Sequence, residues 1–277
     1  MQTLRRFAPV TTIAAALAAG SFALPARAVD TVPFTEVGGG LIGVQGSVDG
    51  GSAVPMLVNL GAGVDVLASG IGRRYVVVDG KYVSLRLTGE RVDLPIGTVQ
   101  TLAIGGVRLD APHVGIWSGL DGTPAQGLIS ATAFRNITAT FDFRAHQIVI
   151  EDAETFPERV RMAQKVPLVL QDDLGIALGI FARFDFGNGK SGLCEINTGA
   201  TGITLDRTFA AANGLNPSGG SQTRLTSIAL RGASQTAIAE PTVAVGDLIY
   251  DCSVGNSFWA GRIFTLDLPN RYIYIST

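Results

Sequence analysis

The chain has 277 residues, 47% of them apolar, with 21 basic and 23 acidic side chains and a formal charge of −2. That length exceeds one typical domain and suits one large β fold or two smaller lobes. The apolar share argues against disorder, and the lack of any lysine- or arginine-rich tract argues against nucleic-acid binding, which draws its affinity from neutralised phosphates.

In chain order, the first feature is a leader. Arg5 and Arg6 precede an apolar, alanine-rich run over 7–24, and Ala26-Arg27-Ala28 is a small-x-small cleavage site. This pattern predicts a signal peptide over 1–28, cut after Ala28, with the twin-arginine and general secretory routes both open. Its removal lowers the basic count to 18 against 23 acids. No cysteine follows at once to take a lipid, and no later stretch has the ~20 apolar residues of a membrane span. The expected product is exported, periplasmic or extracellular, and not in the membrane.

The rest reads as all-β. Short alternating or apolar runs at 41–48, 56–59, 75–78, 82–87, 99–104, 139–143, 148–150, 180–186 and 272–275 are rich in β-branched and aromatic residues and are punctuated by glycine. Asp79-Gly80, between two such runs, predicts a two-residue hairpin turn. Helical pattern is confined to 154–164 and to 207–213, the second stopped by Gly214. In an oxidising compartment the two cysteines, Cys194 and Cys252, are expected to form a disulfide worth roughly 3–4 kcal/mol by loop-closure entropy. Two thiols do not make a zinc site, neither histidine (His113, His146) stands in ligand spacing with them, and no metal or other cofactor is expected.

Two blocks occur twice in the same order. Asn59-Leu60-Gly61-Ala62 aligns with Asn197-Thr198-Gly199-Ala200, and Thr140-Phe141-Asp142-Phe143 aligns with Thr265-Leu266-Asp267-Leu268. An internal duplication follows: one lobe over 29–152, a charged linker over 153–165 and a second lobe over 166–277. Two equivalent turns on two equivalent lobes imply a cleft between them, with Asn59 and Asn197 facing each other on its floor.

These turns resemble those of the bilobal pepsin/retropepsin-type aspartic proteases, in which an apolar strand leads into Asp-Thr-Gly-Ala/Ser and an apolar-apolar-Gly strand follows. The resemblance implies two homologous β-barrel lobes, with an inter-lobe cleft that takes an extended peptide or other small ligand. It places Asn59 and Asn197 at the catalytic aspartate positions, and Gly61, Ala62, Gly199, Ala200 and Thr201 around the ligand. It also suggests the Asp79-Gly80 hairpin as a flap carrying Tyr75 or Tyr82.

The departures bear on the chemistry. Two aspartates would share a proton and activate water, whereas a carboxamide holds water but neither takes up nor releases a proton near neutral pH. Leu60 replaces a bracing threonine and Ser130 a glycine. Asp65 and Asp206, the nearest acids, are not at equivalent positions. Gly38-x-Gly40-x-x-Gly43 matches a dinucleotide-binding pattern, but no helix follows it. The expectation is a non-catalytic peptide- or ligand-binding pseudoprotease. The alternatives are an active aspartic endopeptidase and a structural module with a vestigial cleft.

Overall fold

The computed structural model describes residues 30–110, 113–215 and 221–276; the expected leader lies outside them. Three sheets organise the chain. Two of them hold one half of the chain each, and the third joins the halves.

The joining sheet has six strands, Asp30–Pro33, Gln147–Glu151, Thr138–Asp142, Ile263–Asp267, Tyr272–Ser276 and Gln164–Pro167, in that order. At its centre the two duplicated segments lie antiparallel, with Thr140 opposite Thr265. Their hydroxyls meet at 2.7 Å, and the Phe141 and Phe264 rings stack at 5.0 Å. Thr140 also donates to Glu151 at 2.6 Å, and Arg159 donates to the same carboxylate oxygen at 2.7 Å. A charged residue of the linker thereby answers a carboxylate buried in the sheet.

The sheets of the two halves repeat one another's pairing. In the first, strand Val54–Val58 runs parallel to Gly127–Ile129, which is antiparallel to Asp65–Leu67, which is parallel to Val114–Ile116. In the second, Ser191–Ile196 runs parallel to Cys252–Val254, then antiparallel to Ile203–Asp206, then parallel to Thr242–Gly246. The halves differ at one edge, where the first carries a long hairpin, Val77–Leu85 with Arg91–Thr98.

That hairpin corrects the expected turn. Asp79-Gly80 lies inside the first strand, where the register slips against Gly97 and Ile96. The chain reverses instead at 86–90, where Arg86 N–H donates to Glu90 O at 2.8 Å and Gly89 takes φ +81°. Tyr75 is not on the hairpin; it ends a helix, Ser69–Tyr75, that lacks a clear sequence signal. The pattern over 154–164 yields only the short helix Thr155–Val160 before strand Gln164–Pro167 begins. The helix expected at 207–213 runs Arg207–Ala212; Asp206 caps it by accepting from Phe209 N–H, and Gly214 follows at φ +66°.

Cys194 and Cys252 face each other across the parallel strand pair and form a disulfide in the second half's sheet. Both are fully buried. Replacing both with alanine should lower unfolding stability by about 3–4 kcal/mol, read as a lower denaturation midpoint with a steeper slope as the uncrosslinked chain expands; wild-type protein under strong reductant should shift alike.

Candidate functional site: an inter-lobe cleft floored by two asparagines

Each floor turn follows the end of a buried strand, and alternation along the strand sets which side chains enter the cleft. In the second half Leu193, Glu195 and Asn197 share one face, while Cys194 and Ile196 point to the core. In the first half Leu57 and Asn59 share the corresponding face.

The two turns interlock. A Cβ at Gly61 would overlap the Asn197 carboxamide, and a Cβ at Gly199 would overlap that of Asn59. Each asparagine therefore packs on the glycine of the opposite turn, and the two meet at the centre of the molecule. Asn59 Oδ1 accepts from Gly61 N–H at 2.9 Å, and Asn197 Oδ1 accepts from Gly199 N–H at 2.9 Å. Thr198, fully buried, accepts from Leu60 N–H and donates to Val58 O, both at 2.9 Å. Leu60 offers no hydroxyl for the reciprocal pair, so among the described residues Thr198 alone hydrogen-bonds across from one turn to the other.

The asparagines are held unequally. Asn197 Nδ2 donates to Glu195 Oε2 at 3.0 Å and to Ser253 Oγ at 3.1 Å. Asn59 Nδ2 has no such partner among the described residues and lies against Gly199.

Two cavities run beneath the hairpin Val77–Leu85/Arg91–Thr98. One, of about 220 Å³, is lined by Asn59, Asn197, Gly61, Ala62, Trp117 and hairpin residues. The other, of about 440 Å³, continues into the second half past Glu195, Tyr250 and Asp173. They share Gly61, Gly63, Ser84, Leu85 and Leu87. The hairpin closes over both: Ile249 N–H donates to Leu87 O at 3.0 Å, and the Tyr82 hydroxyl donates to Asp173 at 2.7 Å.

Neither the sequence comparison with family models nor that with curated proteins finds a match. Solved structures do match. The chain is similar to the aspartic proteinase from Irpex lacteus at 14% identity and a TM-score of 0.54, covering 90% of this chain and 97% of that one. It is similar to basic 7S globulin from soybean at 14% and 0.54, covering 90% and 96%. A third likeness is to conglutin gamma, a basic 7S globulin from lupine seeds, at 11% and 0.53, covering 89% and 94%. The fold is pepsin-like. At such identities the likeness carries the fold alone.

Of the residues expected around a ligand, Gly61 and Ala62 line the cleft, and Gly199 supports Asn59 from below. Ala200 and Thr201 turn away: their carbonyls accept from Asn256 and Ser257 N–H, both at 2.8 Å. Thr201 lies against Gly39 in the 38–40 turn, whose three glycines all take positive φ. That turn joins two strands, as befits a tight reversal rather than a phosphate loop. Asp79 and Gly80 are exposed and line neither cleft cavity.

Each half also buries one acid at a place the other leaves apolar or bare. Glu195 and Ser253 stand cross-strand in the second sheet, where the first has Leu57 and Leu128. Asp65 is 1% exposed and accepts from Ser130 N–H at 2.6 Å; the corresponding pair in the second half is Ile203 and Gly255. Ser130, a departure from the expected glycine, is therefore the partner of Asp65. Asp206 is a helix cap. Glu195 escapes the sequence reading because it sits inside an otherwise apolar run, although an acid on the cleft face two residues before Asn197 was its signal.

Burial pushes Asp65 up to about 7, against the pull of Ser130, with Asp110 adding to the rise. Burial likewise pushes Glu195 up to about 8, against the hydrogen bonds of Asn197 and Ser253. The native protein thus keeps protons that the unfolded chain releases near pH 4, so both groups stabilise the fold most fully in acid. Their contribution fades as pH rises through the folded values. Stability should fall from pH 4 to pH 7, with Asp65 supplying on the order of 4 kcal/mol of the fall. D65N should flatten that slope and leave the part belonging to Glu195, which extends to about pH 8; chemical denaturation across pH checks this.

The interlock makes a second prediction. G61A and G199A should each lose about 2–3 kcal/mol or more through overpacking. G202A, in the same loop with open space around it, should stay within about 0.5 kcal/mol of wild type by thermal melting.

Proposed function

We propose that the protein is an exported pseudoprotease, a duplicated pepsin-like scaffold that binds an extended peptide in its cleft without hydrolysing it. The observation that carries this reading is the chemistry of the two interlocked side chains on the floor. Both are carboxamides, each already accepting a backbone hydrogen bond, and neither can move a proton at the centre of the cleft. General acid–base catalysis contributes about 10²–10⁴-fold per positioned group, and here both members of the would-be pair lack it.

Binding draws on what remains. Asn59 Nδ2 offers its donors to a ligand carbonyl, and the hairpin strand Val77–Leu85 is an edge strand whose backbone can pair with an extended chain. The disulfide and the leader pattern agree with a protein at work outside the cytoplasm. Closure of the hairpin onto Ile249 and Asp173 implies that ligand entry opens those two contacts.

Incubation with denatured casein and a broad peptide library from pH 3 to pH 8 should give no cleavage, while members of the library raise the melting temperature. Cleavage that disappears in an N59A/N197A variant would overturn the reading. Restoring aspartates must also remove the neighbouring acid, because Asn197 is a donor to Glu195. N59D/N197D/L60T/E195L should therefore gain cleavage in acid, and N59D/N197D alone should not.

A further inference from the structure

The larger of the two cleft cavities holds a buried acid that no cation among the described residues answers. Glu195 is 4% exposed and lines this cavity of about 440 Å³. Its hydrogen-bond partners, Asn197 and Ser253, are neutral. No lysine, arginine or histidine lines the cavity, and no ion pair to Glu195 is formed among the described residues. The other titratable groups lining it are Tyr250, Tyr82, Asp173 and Asp172, while Arg86 lines the adjoining cavity and pairs with Glu90 at 3.0 Å. Tyr82 is spent on Asp173, and Arg135 is committed to Asp172 at 2.5 Å.

The fold does not require an acid here, since the matching positions of the first half are Leu57 and Leu128, paired in the same register. A buried carboxylate without a counter-charge is costly, and it is completed either by a proton or by a cation. A ligand can supply the cation. Guanidinium suits the place better than ammonium: it is planar, weakly hydrated, able to take a carboxylate bidentately, and able to stack on an aromatic ring such as that of Tyr250.

We propose that Glu195 makes the cleft selective for ligands that place a guanidinium group in this chamber. The inference rests on the cleft-binding reading and gives it a ligand chemistry. Because burial holds the Glu195 proton up to about pH 8, cation and proton compete, and binding below that pH releases the proton.

The test titrates three probes into wild type, E195Q and E195L: an extended peptide set with one arginine stepped along its length, the same set with norleucine, and n-butylguanidinium alone. Calorimetry at pH 6, 7 and 9, in buffers of different ionisation enthalpy, reads affinity and proton release together. The arginine peptides and n-butylguanidinium should bind wild type, tightening about tenfold per pH unit between 6 and 7 and releasing close to one proton. Both should weaken at least tenfold in E195Q, whose fold is checked by melting. The proton release needs no variant and reads the same group.

Equal binding of n-butylguanidinium to wild type and E195Q, binding without proton release at pH 6 and 7, or no binding at any pH would overturn the proposal. Norleucine peptides binding all three proteins while the cation binds none would sink it and leave the cleft-binding reading standing. Cation binding through Glu195 with no peptide bound would support it while defeating the peptide reading.

Discussion

The interlocked turns are the constraint on which the rest of the molecule depends. Each asparagine occupies the space that a side chain at the opposite glycine would need, so each turn packs directly on the other. Thr198 reinforces the contact by satisfying two backbone groups of the other turn that would otherwise be buried without partners. The joining sheet sets the same relation at longer range, since Thr140 and Thr265 meet where the two halves face each other. The cleft exists because these two contacts fix the halves back to back at the sheet and face to face at the turns.

Around that shared frame the halves differ in where they bury acid. Glu195 stands on the cleft face of its strand, with Cys194 and Cys252 directly behind it on the core face. The disulfide thus joins the two strands that present Glu195 and Ser253 and keeps them in register. Asp65 is placed otherwise: it is buried in the first half, where it holds Ser130 beside the turn that begins at Asn59. One acid lines the cleft cavity and the other lies within the frame of its own half, and burial makes both hold protons well above the usual carboxylate range.

Much of this was legible in the sequence because it was written twice. The Asn-x-Gly-Ala turns and the Thr-x-Asp-x segments, repeated in the same order, gave the two-part β architecture, and the structure brings Asn59 and Asn197 together as expected. What was misread depended on context that no single window holds. Asp79-Gly80 is a strong local turn signal, but pairing across the whole hairpin moved the reversal to 86–90 and absorbed Asp79-Gly80 as an irregularity within a strand. Glu195 was overlooked because a run of apolar neighbours hid the one side chain whose strand position aims it into the cleft.

Glu195 also explains why the residue at 197 is an amide. Its carboxylate lies 3.0 Å from Asn197 Nδ2, which approaches as a donor. An aspartate there would set one carboxylate oxygen against another in a water-poor site, where two like charges do not both ionise. The pair Glu195 and Asn197 is therefore one coupled arrangement of an acceptor and a donor. The first half has no matching acid, because Leu57 stands at the equivalent position. A proton-sharing couple needs two acids at matched positions, and a single displaced acid has no partner with which to share. What such a group can do is hold a proton or a cation at the wall of the cleft.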